Sequence, residues 1–207
     1  MLWTILRSQS ESSVIRVAVP IKAWFVQIPS VDEIRPAHCR GCGAPSRPVG
    51  GPLNVHGQGL LARQVRGVLD VDGEPGVRVL MVRRYECQRC GAVMTVVPAE
   101  LLAGRQYSGP SIALALHLWL VLGLADRVVC RRVCAWRVRG RCARGWAQLY
   151  RWARKASLLF ALPRPVPPHG VAASVRHVLS GLRALAPGSL STASAAQQVF
   201  AGAAHMR

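Results

Sequence analysis

"YECQRCGAV", residues 85–93, sets two cysteines two residues apart at the end of an apolar run, and the reading of this pair decides the fold. A C-x-x-C turn supplies either half of a tetrahedral metal shell or a redox dithiol. A second turn of the same kind stands at 39–44, where "CRGCGA" matches "CQRCGA" of 87–92 in both cysteines, the glycine and the alanine. Two such turns offer four thiolates, each turn wrapping one edge of a tetrahedron, so Cys39, Cys42, Cys87 and Cys90 are the expected ligands of one structural zinc ion. Gly43 and Gly91 close the turns at a position that favours a left-handed backbone. The alternative is two separate dithiols. Thioredoxin-type chemistry, however, starts a helix at its first cysteine, whereas "VRVLMVRRYEC" enters this pair as a strand. Forty-four residues separate the two turns, against about 15–20 in compact four-cysteine motifs, so the insert must be structured or looped out.

That insert contains two strand patterns, "LLARQVRGVLDV" and "VRVLMVRRYEC", joined by "DGEPG", whose Asp, Gly and Pro preset a reversal. The expectation is a hairpin that carries one knuckle on its last strand. His56, in "NVHGQG", is a substitute ligand in principle, but four thiolates already satisfy tetrahedral zinc. Upstream, residues 1–35 read as a weakly specified extension in which "VPIKAWFVQIP" suggests one strand. The apolar run at the start is too short and interrupted for a secretory signal. With no export signal and cysteines suited to metal, the expected location is the cytoplasm.

Charge divides the chain unevenly. Of 207 residues, 27 are basic and 9 acidic, for a net +18. All nine acids lie between Glu11 and Asp126, beside 13 basic residues; the 81 residues that follow carry 14 basic residues and no carboxylate, so the two parts have net charges of +4 and +14. This balance calls for a polyanionic partner. It also leaves the C-terminal part without carboxylates for a two-metal nuclease or transposase site. No G-x-S-x-G, Walker or H-E-x-x-H sequence is present, and the expectation is a protein that is not an enzyme and takes no small-molecule substrate.

From Pro110 the pattern changes. "PSIALALHLWLVLGLA" is apolar on every face, yet its run of about 15 residues is short of the 17–25 that cross a bilayer, and it contains His117. A buried helix ended by Gly123 is the better reading; a small membrane-associated protein built on 112–125 is the competing one. A short helix over 125–133 and a turn near Cys134 follow, then a basic segment. Arg137, Arg141, Arg144, Gln148, Arg151 and Lys155 share one helical face, and Val138, Cys142, Trp146, Leu149, Ala153 and Ala156 share a neighbouring one. Arg137 and Arg139 are the candidates for base edges, and Arg131, Arg132, Arg141, Arg144, Arg151 and Lys155 complete the candidate nucleic-acid contacts. A solvated basic face is the plain alternative, and the missing counter-charges weigh against it. Trp136, Trp146 and Trp152 read more as buried anchors than as wedges. Cys130, Cys134 and Cys142 are read as packing residues, since a three-thiolate site finds no fourth ligand nearby. After the proline-rich "LPRPVPPHG", Val175, Val178, Leu179, Leu182 and Leu185 mark a helix that either returns to the domain or pairs with a second copy in a homodimer.

The two knuckles, with a strand before the second and "TVVP" after it, resemble the amino-terminal zinc ribbon of bacterial insertion-sequence transposases. The stretch from "RQYSGPSIALALHLWLVLGLA" through "VCAWRVRGR" is similar to the helix-turn-helix that comes next in those proteins and in short uncharacterised relatives lacking the catalytic domain. The resemblance covers roughly residues 36–156. It implies an α+β chain, a small β zinc ribbon followed by a helix-turn-helix-like helical bundle. Its parts would be an extension (1–35), the ribbon (36–107), the helical domain (108–162), and a proline-rich linker with C-terminal helices or tail (163–207). It implies zinc on Cys39, Cys42, Cys87 and Cys90 and double-stranded DNA on the helices from Ala125 onward, in a bacterial cytoplasm and on the nucleoid when bound. No acidic triad is present, so the expected function is a zinc-dependent, non-catalytic DNA-binding module, with a general nucleic-acid or RNA binder as the alternative.

Overall fold

A computed structural model describes residues 13–134, 146–162 and 170–206. The chain is α+β, with a four-stranded sheet and a set of helices, each around its own core. Strands β1 (Ser13–Val17), β2 (Val55–Gly67), β3 (Gly76–Cys87) and β4 (Val93–Pro98) lie in the order β1-β4-β3-β2. β2 and β3 form the expected antiparallel hairpin, with Gly67 opposite Gly76, but β2 ends at Gly67: Val68–Val71, read from the sequence as strand, belong to the connection, where Gly73 N–H donates to Asp70 O at 3.1 Å. β3 owes its central place to the apolar residues Leu80, Val82, Tyr85 and Cys87, all buried. β4 is buried nearly throughout between β3 and β1.

The lead-in departs from its sequence reading. Residues 13–17 form β1, parallel to β4 with Ser13 opposite Met94. "VPIKAWFVQIP" is not a strand: Ile21–Val26 is a helix, α1. Its two buried residues, Ile21 and Trp24, are three apart, a helical spacing, and Pro20 at the N-cap adopts the extended geometry that opens a helix. Trp24 Nε1 donates to Met81 O at 2.9 Å, which binds α1 to β3. No side chain of α1's own N-cap serves its first turn; instead the Glu100 carboxyl accepts Ile21 N–H at 2.9 Å. Burial raises the Glu100 pKa, offset in part by that hydrogen bond.

The second core surrounds α2 (Gly109–Leu120), in which every residue from Gly109 to Leu118 is buried. Helices α3 (Asp126–Val133), α4 (Ala147–Arg154), α5 (Ala156–Leu159), α6 (Gly170–Ala184) and α7 (Ala195–Ala204) contribute the rest of that core, which explains why α2 is apolar all round. Ser108 caps its start, accepting Ser111 N–H at 3.3 Å. Gly123, with φ +65°, closes its end, and Leu124 N–H reaches Leu118 O at 3.0 Å. Twelve residues rise about 18 Å, less than a bilayer's apolar thickness of about 30 Å. Among the described residues no helix is long and apolar enough to cross a membrane. His117 is buried in this core, and burial, then Arg183, hold its pKa down.

Ser111 joins the two halves. Its hydroxyl accepts Val68 N–H at 3.0 Å, just past β2, and donates to Val68 O at 2.9 Å. Ser111→Ala would leave both buried backbone groups without partners, so the expected loss is about 2 kcal/mol, read as a lower denaturant midpoint with an unchanged slope.

The tail that is hard to read in sequence is ordered into α6 and α7. Val175, Val178, Leu179 and Leu182 face the helical core as the pattern suggests, while Leu185 lies beyond α6 and is exposed. A capping box opens α7: Ser194 Oγ accepts Gln197 N–H at 3.3 Å and the Gln197 side chain accepts Ser194 N–H at 2.9 Å. Its buried face, Val199, Gly202 and Ala203, packs on α2 and α6.

Candidate metal centre and basic surface

The strand β3 delivers Cys87 at its last position, and the chain turns back at once into β4. Cys87 N–H donates to Ala92 O at 3.0 Å, and Gly91 N–H donates to Cys87 O at 2.8 Å. The first knuckle repeats the pattern: Cys39 N–H donates to Ala44 O at 2.9 Å, and Gly43 N–H donates to Cys39 O at 2.9 Å. Gly43 and Gly91 both have φ +71°, the left-handed geometry expected where each turn closes. The repeated C-x-x-C-G-A is therefore one backbone structure made twice.

The two turns meet sulfur to sulfur. Cys39 Sγ lies 3.6 Å from Cys90 Sγ and Cys42 Sγ lies 3.8 Å from Cys87 Sγ, and all four sulfurs fall within 4.8 Å of one another. A tetrahedron with metal–sulfur bonds of about 2.3 Å has edges of about 3.8 Å, so the spacing fits a bound ion, and it is far from the roughly 2.05 Å of a disulfide. Contacts that run between the knuckles also argue against two independent dithiols. Cys39 and Cys87 are buried, Cys42 and Cys90 exposed, so the cluster sits at the rim of the sheet core. Gly41 is a residue that motif reading passes over: a Cβ there would stand 2.8 Å from Ala92 Cβ and 3.3 Å from Cys90 Sγ, so its small size lets the knuckles close on each other.

The field at the sulfurs is uneven. Burial pushes the Cys39 thiol up, but the backbone N–H groups of Cys42 and Gly41 aimed at it, with the Cys90 and Cys87 thiols, outweigh that and bring it down to about 7. At Cys90 the Ala92 N–H lowers the pKa, while burial and the three neighbouring thiols raise it more, to about 12. Four thiolates this close repel one another; a cation among them removes that penalty, and the donor set suits a soft or borderline metal.

His56 is not part of the cluster. Its Nε2 is 2.7 Å from Leu53 O and the residue is exposed. Cys130 and Cys134 belong to no group of metal-ligating side chains among the described residues, and Cys134 Sγ accepts the Tyr107 hydroxyl at 3.0 Å. Cys142 lies outside the described residues.

Of the arginines expected on the basic face, Arg137, Arg139, Arg141 and Arg144, together with Trp136, lie outside the described residues. Arg131 and Arg132 are exposed on α3, and Arg151 and Lys155 are exposed at α4. Arg132 is 3.9 Å from Asp72 in the β2–β3 turn, a solvated pair of little energetic weight. Arg127 and Arg154, which the helical-wheel reading omitted, are exposed on the same two helices. Leu149, Trp152, Ala153 and Ala156 turn inward as expected, with Trp152 against Tyr107 at 5.0 Å and against Trp146 at 5.1 Å. Asp126, the last acid of the chain, accepts Trp146 N–H at 3.2 Å, a contact that ties the start of α4 to the start of α3.

A cleft of about 790 Å³ lies between the β1–α1 link and α6–α7. Its titratable groups are Arg16, Glu100 and His205, and Glu100 already serves Ile21. No family model, curated protein or solved structure matches the chain, so function is read from its own residues.

Proposed function

We propose that the chain is a zinc-dependent DNA-binding module without catalysis of its own, related to the binding portion of bacterial insertion-sequence transposases and working in the cytoplasm on the nucleoid. The observation that carries it is the uncompensated charge of α3 and α4. Arg127, Arg131, Arg151, Arg154 and Lys155 are exposed there with no carboxylate partner among the described residues, and no acid follows Asp126 in the chain. Such a surface binds a phosphate backbone through counterion release. The four-cysteine cluster takes zinc, the metal most often held by four thiolates in a tetrahedron, in a structural role: all four positions are protein ligands and none is left for substrate. The two knuckles then form a zinc ribbon, and α2, α3 and α4 make up the helix-turn-helix-like bundle.

Fluorescence anisotropy of a labelled duplex across a salt series tests this. Wild type is expected to show a steep negative dependence of log affinity on log salt, and the double variant Arg151→Gln/Arg154→Gln a slope shallower by about 1.8, from two lost phosphate contacts at 0.9 each. No binding to any duplex at low salt would overturn the proposal. Equal affinity for duplex RNA would make the chain a general nucleic-acid binder.

A further inference from the structure

The solvent face of α4 is not purely cationic. Tyr150 is 45% exposed and meets Trp119, at the end of α2, as a T-shaped pair with centroids 4.8 Å apart. Trp119 is followed by Val121 and Leu122, 49% and 55% exposed. Arg154 stands one turn beyond Tyr150 on the same helical face, and Arg151 is its neighbour, both exposed. Trp119 is held by the helical core, so the pair is fixed in place and loses little freedom when a partner binds.

A phosphate backbone alone needs cations and has no use for an exposed aromatic pair beside them. An exposed aromatic pair with a cation one helical turn along matches a ligand that is anionic along its length and carries stackable faces. In duplex DNA those faces are hidden within the stack; in a single strand they are free. We infer that Trp119 and Tyr150, with Arg154 beside them on the helix, form a stacking platform for unpaired bases of a single-stranded segment. The inference rests on the DNA-binding reading and extends it: α3 and α4 hold duplex by charge, and the Trp119–Tyr150 end takes a strand that leaves the duplex.

Three probes separate the two ideas: a blunt duplex, the same duplex with a single-stranded tail containing 2-aminopurine, and the tail alone. Wild type is expected to bind the tailed duplex about ten-fold more tightly than the blunt one and to quench the 2-aminopurine, in line with the strength of one aromatic stack. Tyr150→Ala should lose the ten-fold increment and the quench while binding the blunt duplex as wild type does. Tyr150→Leu, which keeps bulk against Trp119 but has no ring, should behave the same way and guards against a folding defect in the alanine variant; Tyr150→Phe should retain the increment. A tail that adds no affinity and shows no quench overturns the inference even if the blunt duplex binds, and failure on the blunt duplex alone overturns the function and leaves the platform to the tail. Tyr150-dependent binding to phosphatidylserine vesicles with no tail effect would assign this face to a lipid surface instead.

Discussion

Cys87→Ser is expected to remove cooperative folding of the sheet half. Cys87 is fully buried at the junction of β3 and β4, and its sulfur stands 3.8 Å from that of Cys42. Structural zinc in small domains contributes about 10–16 kcal/mol of binding free energy at neutral pH, comparable with the total stability of about 5–15 kcal/mol of an ordinary domain. With a metal ion held by all four sulfurs, loss of one of them would remove more than the sheet can spare. The expected drop is at least about 4 kcal/mol, visible as loss of the transition reported by Trp24, which is buried at 1% exposure on α1 and bonded to β3. A strong chelator should bring wild type to the same state and change the variant no further. An unfolding free energy within about 1 kcal/mol of wild type would mean that the cysteines pack without a metal.

Gly202→Ala is expected to act at the other end of the molecule. A Cβ at this position would stand 1.7 Å from Leu182 O and 2.6 Å from the Leu182 carbonyl carbon, both backbone atoms of α6. No side-chain rotation relieves a clash with backbone, so α7 must withdraw from α6 and from α2, uncovering Val199 and Ala203. Overpacking costs about 1–3 kcal/mol, and a clash with backbone belongs at the upper end of that range. Denaturant unfolding of the helical half should show the loss, with metal content unchanged, since the clash is confined to α6 and α7. A cost under about 0.5 kcal/mol would show that the helices do not approach this closely.

The sequence was most legible where a pattern is local. The doubled C-x-x-C-G-A marks two identical turns, and "DGEPG" between two apolar runs marks the hairpin, although the first strand stops at Gly67, four residues earlier than its apolar pattern suggests. Uniform apolarity over 110–120 marks a helix buried on all sides. Each of these signals is written within about a dozen residues. What could not be read depends on distant partners. β1 is a strand because β4 offers it an edge some 80 residues later, with Ser13 against Met94, and nothing in "SVIRV" names that neighbour. α1 rests on only two buried residues, too few to separate a helical from a strand period. α7 is hidden by composition: alanine and glycine carry its packing through closeness rather than hydrophobic bulk, so the tail looks bland although Gly202 is among the tightest positions in the fold. At the candidate site the four clustered cysteines are explicit in the sequence, while Gly41, which lets the knuckles meet, and Tyr150, which meets Trp119, need three-dimensional proximity to be noticed.

Elemental analysis of the purified protein tests the central claim most directly, because both the fold of the sheet and the zinc-dependent reading rest on the four sulfurs. One zinc per chain in wild type, absent from Cys87→Ser, is the predicted result. A wild-type protein that contains no metal and still unfolds cooperatively through the Trp24 transition would contradict it.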